Sequence, residues 1–150
     1  PYTVLIDYAH TPDGLEKVLL SARDFCKGRL IAVFGCGGDR DPIKRPIMGK
    51  IGVQCADFAV ITSDNPRTEE PMAIIRDILK GIEPGMGEYT VIEDRRKAIR
   101  YAMDIGKKDD IIVLAGKGHE TYQEINGHKY HLDEREEVRS YLSELRNMHE

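Results

Sequence analysis

Four short segments of this 150-residue chain gather side chains that packing does not require. They are Asp7-Tyr8-Ala9-His10-Thr11-Pro12, Gly35-Cys36-Gly37-Gly38-Asp39-Arg40-Asp41, Asp64-Asn65-Pro66-Arg67 and Gly116-Lys117-Gly118-His119-Glu120. Arg40 and Arg67 each offer a planar fork of donors that can grip a carboxylate. Asp64 and Glu120 can receive an ammonium group, or pair with an arginine. Both signs in one place suit a zwitterion better than a polyphosphate or an apolar ligand. An amino acid with an extra charged end is the natural candidate.

Each segment also has a plainer reading. Residues 35–38 make either a tight strand-to-helix turn, since glycine tolerates positive φ and close backbone approach, or a ligand loop. They are not a dinucleotide fingerprint, because Arg40 stands where the last glycine of Gly-x-Gly-x-x-Gly belongs. Neither glycine segment ends in the Gly-Lys-Ser/Thr of a phosphate-binding P-loop. Asp64-Asn65-Pro66 is also a good turn sequence. His128 and His131 fall on opposite faces of a strand, which suits surface histidines better than a metal pair.

The elements that must position these segments are legible around them. Short runs rich in Val, Ile and aromatic residues predict strands at 3–6, 30–34, 58–62, 89–92 and 110–115. Leu15, Val18, Leu19 and Ala22 form a helical stripe after a Thr11 cap and Pro12. Further apolar faces follow Pro71 (Ile74, Ile75, Ile78, Leu79) and Asp94 (Ala98, Ile99, Ala102). The last, Val138, Tyr141, Leu142 and Leu145, starts at Asp133 with Glu136 at capping-box spacing. Residues 46–55 read as helical with less regular spacing. Alternating strands and helices imply one α/β domain over residues 1–150, doubly wound and Rossmann-like, with a mostly parallel sheet of about six strands. Asn126-Gly127 between 122–125 and 129–132 predicts a hairpin, hence an antiparallel edge near the carboxyl terminus. In a parallel sheet the four segments emerge along one carboxyl edge, where such folds bind ligands.

Composition narrows the classes. Twenty-two Lys plus Arg against 26 Asp plus Glu leave a net charge of -4, which disfavours a nucleic-acid backbone binder. The longest apolar run, Ile111 to Ala115, falls far short of the roughly 20 residues a bilayer needs, so no membrane partner is expected. Cys26, Cys36 and Cys55 are odd in number and lack Cys-x-x-Cys spacing, which fits free thiols in a reducing cytoplasm. No secretory leader is visible, and the start at Pro1 reads as a piece cut from a longer protein, with processing as the alternative.

Taken in order, Asp-Tyr-Ala-His-Thr-Pro at 7–12, Phe-Gly-Cys-Gly-Gly-Asp-Arg-Asp at 34–41, Ser-Asp-Asn-Pro-Arg-Thr-Glu-Glu-Pro at 63–71 and Ala-Gly-Lys-Gly-His-Glu at 115–120 span almost the whole chain. This set resembles the carboxyl-terminal domain of the Mur ligases, the ATP-dependent enzymes that build the peptidoglycan stem peptide. Within them it looks most like the members that add diaminopimelate. The resemblance implies that Asp64, Asn65, Pro66 and Arg67 hold the far end of that amino acid. It further implies Arg67 and Arg40 on its carboxylate, and Gly116 and Glu120 on its ammonium. The first motif implies nucleotide-side contacts, with Asp7 near the ribose and His10 near the phosphates.

The reaction so implied runs through an acyl phosphate. ATP phosphorylates the γ-carboxylate of the D-glutamyl residue in UDP-MurNAc-L-Ala-D-Glu, the amine of meso-diaminopimelate attacks, and phosphate leaves. Mg2+ screens the phosphate charges. The family's P-loop and carbamylated lysine belong to a central domain, and the nucleotide-sugar sits largely on an amino-terminal one. This chain is therefore expected to hold no catalytic residue and no metal ligand, to dock on its own central domain, and to be inactive alone. Arg67 also carries a selectivity argument: lysine lacks the far carboxylate and would leave a buried guanidinium without its anion. Three rivals remain: a lysine-adding or folylpolyglutamate-synthase-like ligase domain, a non-catalytic amino-acid or nucleotide-binding module, and an oxidoreductase on a nucleotide-binding fold.

Overall fold

The computed structural model describes residues 1–148. Five strands form one fully parallel sheet: β1 (Thr3–Asp7), β2 (Leu30–Phe34), β3 (Phe58–Ile61), β4 (Glu88–Val91) and β5 (Ile111–Ala115). Their spatial order is β1-β5-β2-β3-β4, so β5 is inserted beside β1 and β2. Five helices complete the α/β pattern: α1 (Pro12–Phe25), α2 (Lys44–Cys55), α3 (Pro71–Leu79), α4 (Arg95–Ile105) and α5 (Glu134–Met148).

The interior strands β2 and β5 are buried on both faces, as a sheet covered on two sides requires. Their alternate residues feed different layers. Leu30, Ala32 and Phe34 pack with Leu15 and Leu19 of α1, Met48 and Val53 of α2, and Ile74, Ile75 and Ile78 of α3. Ile31 and Val33 turn to the opposite core, with Ala98, Ile99, Ala102 and Met103 of α4 and Val138 of α5. The doubly wound fold follows from this two-sided demand.

The helix starts behave as their residues dictate. Thr11 caps α1 by accepting from the Gly14 N–H at 3.1 Å, and Asp94 caps α4 by accepting from the Lys97 N–H at 3.1 Å. At α5 the expected box is half made. Asp133 accepts from the Arg135 and Glu136 N–H groups, but the Glu136 carboxylate reaches His131 Nε2 at 2.9 Å instead of returning to the cap.

The hairpin forms, but as a sheet of its own. β6 (Tyr122–Ile125) and β7 (His128–His131) pair antiparallel around Asn126-Gly127, both at positive φ, which places His128 opposite Ile125. Among the described residues the main sheet thus has five strands rather than about six, and no antiparallel edge. Both neighbours of β5 are already occupied by β1 and β2, so the chain after it cannot fold back alongside. The hairpin instead docks on the loop after β3, where Arg67 forms a parallel bridge with Ile125.

Candidate functional site

All four predicted segments follow strands of the parallel sheet and emerge at its carboxyl edge. They surround a cavity of about 510 Å³. His10, Arg40, Asp64, Asn65, Arg67, Gly116 and Glu120 all line it. Two predicted residues do not. Asp7 is turned into its own loop, where its carboxylate accepts from the Ala9 N–H at 2.8 Å. Pro66 borders a second cavity, on the other side of the 64–67 loop.

The loop after β3 is held from two sides. Gly38 donates its N–H to the Asn65 carbonyl at 2.7 Å, and a Cβ at Gly38 would run into the Pro66 carbonyl. Close backbone approach, not positive φ, is therefore why glycine stands at 38. From the opposite side β6 supplies three contacts. Arg67 N–H donates to the Glu124 carbonyl at 3.0 Å, Glu124 N–H to Asn65 Oδ1 at 2.9 Å, and Gln123 Nε2 to the Asp64 carbonyl at 2.7 Å. Those bonds hold Arg67 at φ 52, a left-handed conformation unusual for a side chain of its size.

Arg67 spends Nη1 on the Gly38 carbonyl at 3.0 Å and sets Nε 3.8 Å from the Glu124 carboxylate. Among the described residues Arg40 donates only to the carbonyl of its neighbour Asp39. Two guanidinium groups thus share one wall with donors to spare. In the same cavity Gly116 adopts φ +117, and a Cβ there would stand 2.5 Å from Asp64 Oδ2. Glycine at 116 lets the Asp64 carboxylate lie against the backbone.

The family model described as "Mur ligase, glutamate ligase domain" matches residues 1–118. The chain belongs to the Mur ligase family. It is 58% identical over 144 residues to the UDP-N-acetylmuramoyl-L-alanyl-D-glutamate--2,6-diaminopimelate ligase of Clostridium tetani, covering 96% of this chain and 29% of that protein. The ligase of the same name from Clostridium botulinum is 59% identical with the same coverage. A solved structure of a ligase with that name superposes with a TM-score of 0.93 at 45% identity, covering 97% of this chain and 30% of that one. The chain thus spans under a third of the length of the relatives it matches.

Three buried charges of this Mur ligase domain escape sequence reasoning. Lys117 is fully buried, with Nζ 2.9 Å from Asn65 Oδ1, 3.4 Å from Glu120 Oε1 and 3.6 Å from Asp64 Oδ1. It lies inside a quoted motif, but flanking glycines draw attention to phosphate loops instead. Arg95, also buried, donates to Glu134 Oε2 at 2.9 Å and to the carbonyls of Ser63 at 3.0 Å and Ala115 at 2.9 Å. Those carbonyls immediately precede Asp64 and Gly116, so one side chain ties together the roots of two site loops. Only Asp94, a helix cap, marks that region in the sequence. Arg45 clamps the glycine loop to α3 by donating to the Gly37 carbonyl, Glu69 and Asp77.

These contacts set the local electrostatics. Hydrogen bonds from Arg45 hold the Glu69 and Asp77 carboxyls below their ordinary range. A Thr68 hydroxyl bond does the same for Asp39. Burial pushes the Cys36 thiol up to about 12, with the Asp64 carboxylate adding to the effect. That thiol is neutral at physiological pH and is no nucleophile.

Proposed function

We propose that this chain is the amino-acid-binding domain of an ATP-dependent ligase that adds meso-diaminopimelate to UDP-MurNAc-L-Ala-D-Glu in peptidoglycan synthesis. The observation that carries this reading is the meeting of Arg40 and Arg67 with Asp64, Asn65, Gly116 and Glu120 around one cavity. An amino acid's far carboxylate fits the paired guanidinium groups. Its far ammonium fits the acidic side formed by Asp64 and Glu120. The names carried by relatives at 58–59% identity support the same substrate.

In this reading ATP activates the γ-carboxylate of the D-glutamyl residue as an acyl phosphate. The amine of diaminopimelate attacks the acyl carbon, the C–O bond to phosphate breaks, the amide forms and phosphate departs. The residues described above hold the amino acid by its far end, so that the near amine is presented to the acyl group with its entropy already lost. His10 lines the same cavity and is the proposed phosphate-side contact, with Asp7 on the ribose side. Among the described residues no three His, Cys, Asp or Glu side chains gather as a metal's ligands would. The P-loop, the carbamylated lysine and the nucleotide-sugar site belong to the central and amino-terminal domains of the whole ligase, on which this domain docks. Three free thiols support a cytoplasmic setting.

Arg67→Ala in the full-length enzyme tests the reading. It removes a charge-assisted contact worth roughly 1.5–3 kcal/mol, a loss of about 10–150-fold in kcat/KM for diaminopimelate. Lysine, which has no far carboxylate, should lose little, so the ratio of the two values shifts towards lysine. Because Arg67 also bonds the Gly38 carbonyl, melting curves must first show a folded variant. An unchanged ratio in a folded variant overturns the diaminopimelate assignment.

A further inference from the structure

The acidic side of the cavity is not two free carboxylates. Lys117, with no exposed surface, stands among Asp64, Asn65 and Glu120. We infer that Lys117 is a specificity-determining positioning residue: it cancels one of two carboxylates, so that the site meets one ammonium group with one net negative charge. The inference rests on the amino-acid reading above and deepens it.

Charge counting carries the argument. Asp64 and Glu120 contribute two negative charges, and Lys117 returns one positive charge within 3.4–3.6 Å of both. Without it, two partly buried carboxylates would share the site with no ammonium between them. With it, the three side chains together offer a ligand a single net negative charge. Lys117 also fixes the direction of Asn65. Its ammonium and the Glu124 N–H both donate to Asn65 Oδ1, which leaves Nδ2 pointing to Glu120 at 3.4 Å. Nearby charges and surfaces come from several elements. The Tyr122 ring of β6 lies 5.9 Å from Nζ, the Arg95 guanidinium of α4 acts on Asp64 and Glu120, and the neutral Cys36 thiol faces Asp64. Arg95 is already paired with Glu134, so it does not replace Lys117.

A charge-compensating cycle in the full-length ligase, read as kcat/KM for diaminopimelate, tests this. Glu120→Gln alone leaves Asp64 and Lys117 cancelling each other and should lower the value. Adding Lys117→Met restores one net negative charge through Asp64 and should recover it by on the order of tenfold. Lys117→Met alone completes the cycle. If Lys117 were only a packing post, the second substitution would deepen the loss, and that result overturns the inference. The comparison of Glu120→Gln with the double variant decides it even if the single lysine variant does not fold. A wild-type enzyme that does not prefer diaminopimelate to lysine sinks the amino-acid reading itself. With that preference intact, an additive cycle sinks the role of Lys117 alone.

Discussion

Single arginines hold this site together more than any local sequence rule does. Arg95 lies in the interior with its three donor nitrogens spent on Glu134, Ser63 and Ala115, and one buried oxygen of Glu134 finds no partner among the described residues. A buried ion pair of this kind is expensive to break from one side, because the survivor stays charged and unsolvated. Glu134→Gln should therefore destabilise the fold by about 3–5 kcal/mol in denaturant unfolding. Arg95→Met should cost at least as much, since it also strands two backbone carbonyls. The double variant should cost clearly less than the sum, because neither charge is then left alone. Strict additivity would show that the pair contributes nothing beyond packing.

At the scale of elements, the β6–β7 hairpin is an accessory that braces one loop. β7 is exposed along its length, yet β6 delivers the Glu124 backbone groups to Asn65 and Arg67. The turn that makes this possible needs Asn126 at φ 51 and Gly127 at φ 79. Gly127→Val places a β-branched residue in the left-handed region, at a cost of roughly 1–2 kcal/mol. The penalty should fall on the hairpin and on the loop it braces, not on the sheet. Hydrogen exchange checks this: the amides of Arg67 and Glu124 should lose protection while those of β2 and β5 keep it. Equal loss everywhere would mean that hairpin and sheet unfold as one unit.

For the molecule as a whole, carboxylates tuned by folding make stability depend on pH. Glu69 and Asp77 are held below their ordinary range by hydrogen bonds from Arg45. At Asp110 burial opposes ionisation, but the Arg29 and Lys107 N–H groups and the Arg29 guanidinium outweigh it and lower the pKa. The unfolded chain therefore binds more protons than the folded one as pH falls below about 4–4.5, the ordinary carboxylate values. Stability from these groups is complete above that range and is lost as pH drops through the lowered folded values. Urea midpoints measured from pH 7 downwards should stay level to about pH 5 and then decline. Asp110→Asn should be less stable at pH 7 and show a shallower decline. A parallel decline would remove Asp110 from the account.

The strands, helix caps and four site loops were legible in the residues because each rests on rules that act over a few positions. A hydrophobic run placed β2 to the residue, the Asn126-Gly127 signal placed β6, and Thr11 and Asp94 announced their helices. A parallel α/β pattern then put the loops on one edge, which brought Arg40, Arg67, Asp64 and Glu120 to one cavity. Local rules reach no further than that. The Asn126-Gly127 turn announced a hairpin, but whether it joins the sheet depends on β5 lying between β1 and β2, a matter of strand order. Lys117 finds Asn65 from 52 positions away, and Arg95 finds Ser63 from 32. Whether a charge is buried, and which partners then satisfy it, is decided by elements meeting in space. Neither spacing nor residue type encodes that, so tertiary structure alone turned two ordinary basic residues into the supports of the site.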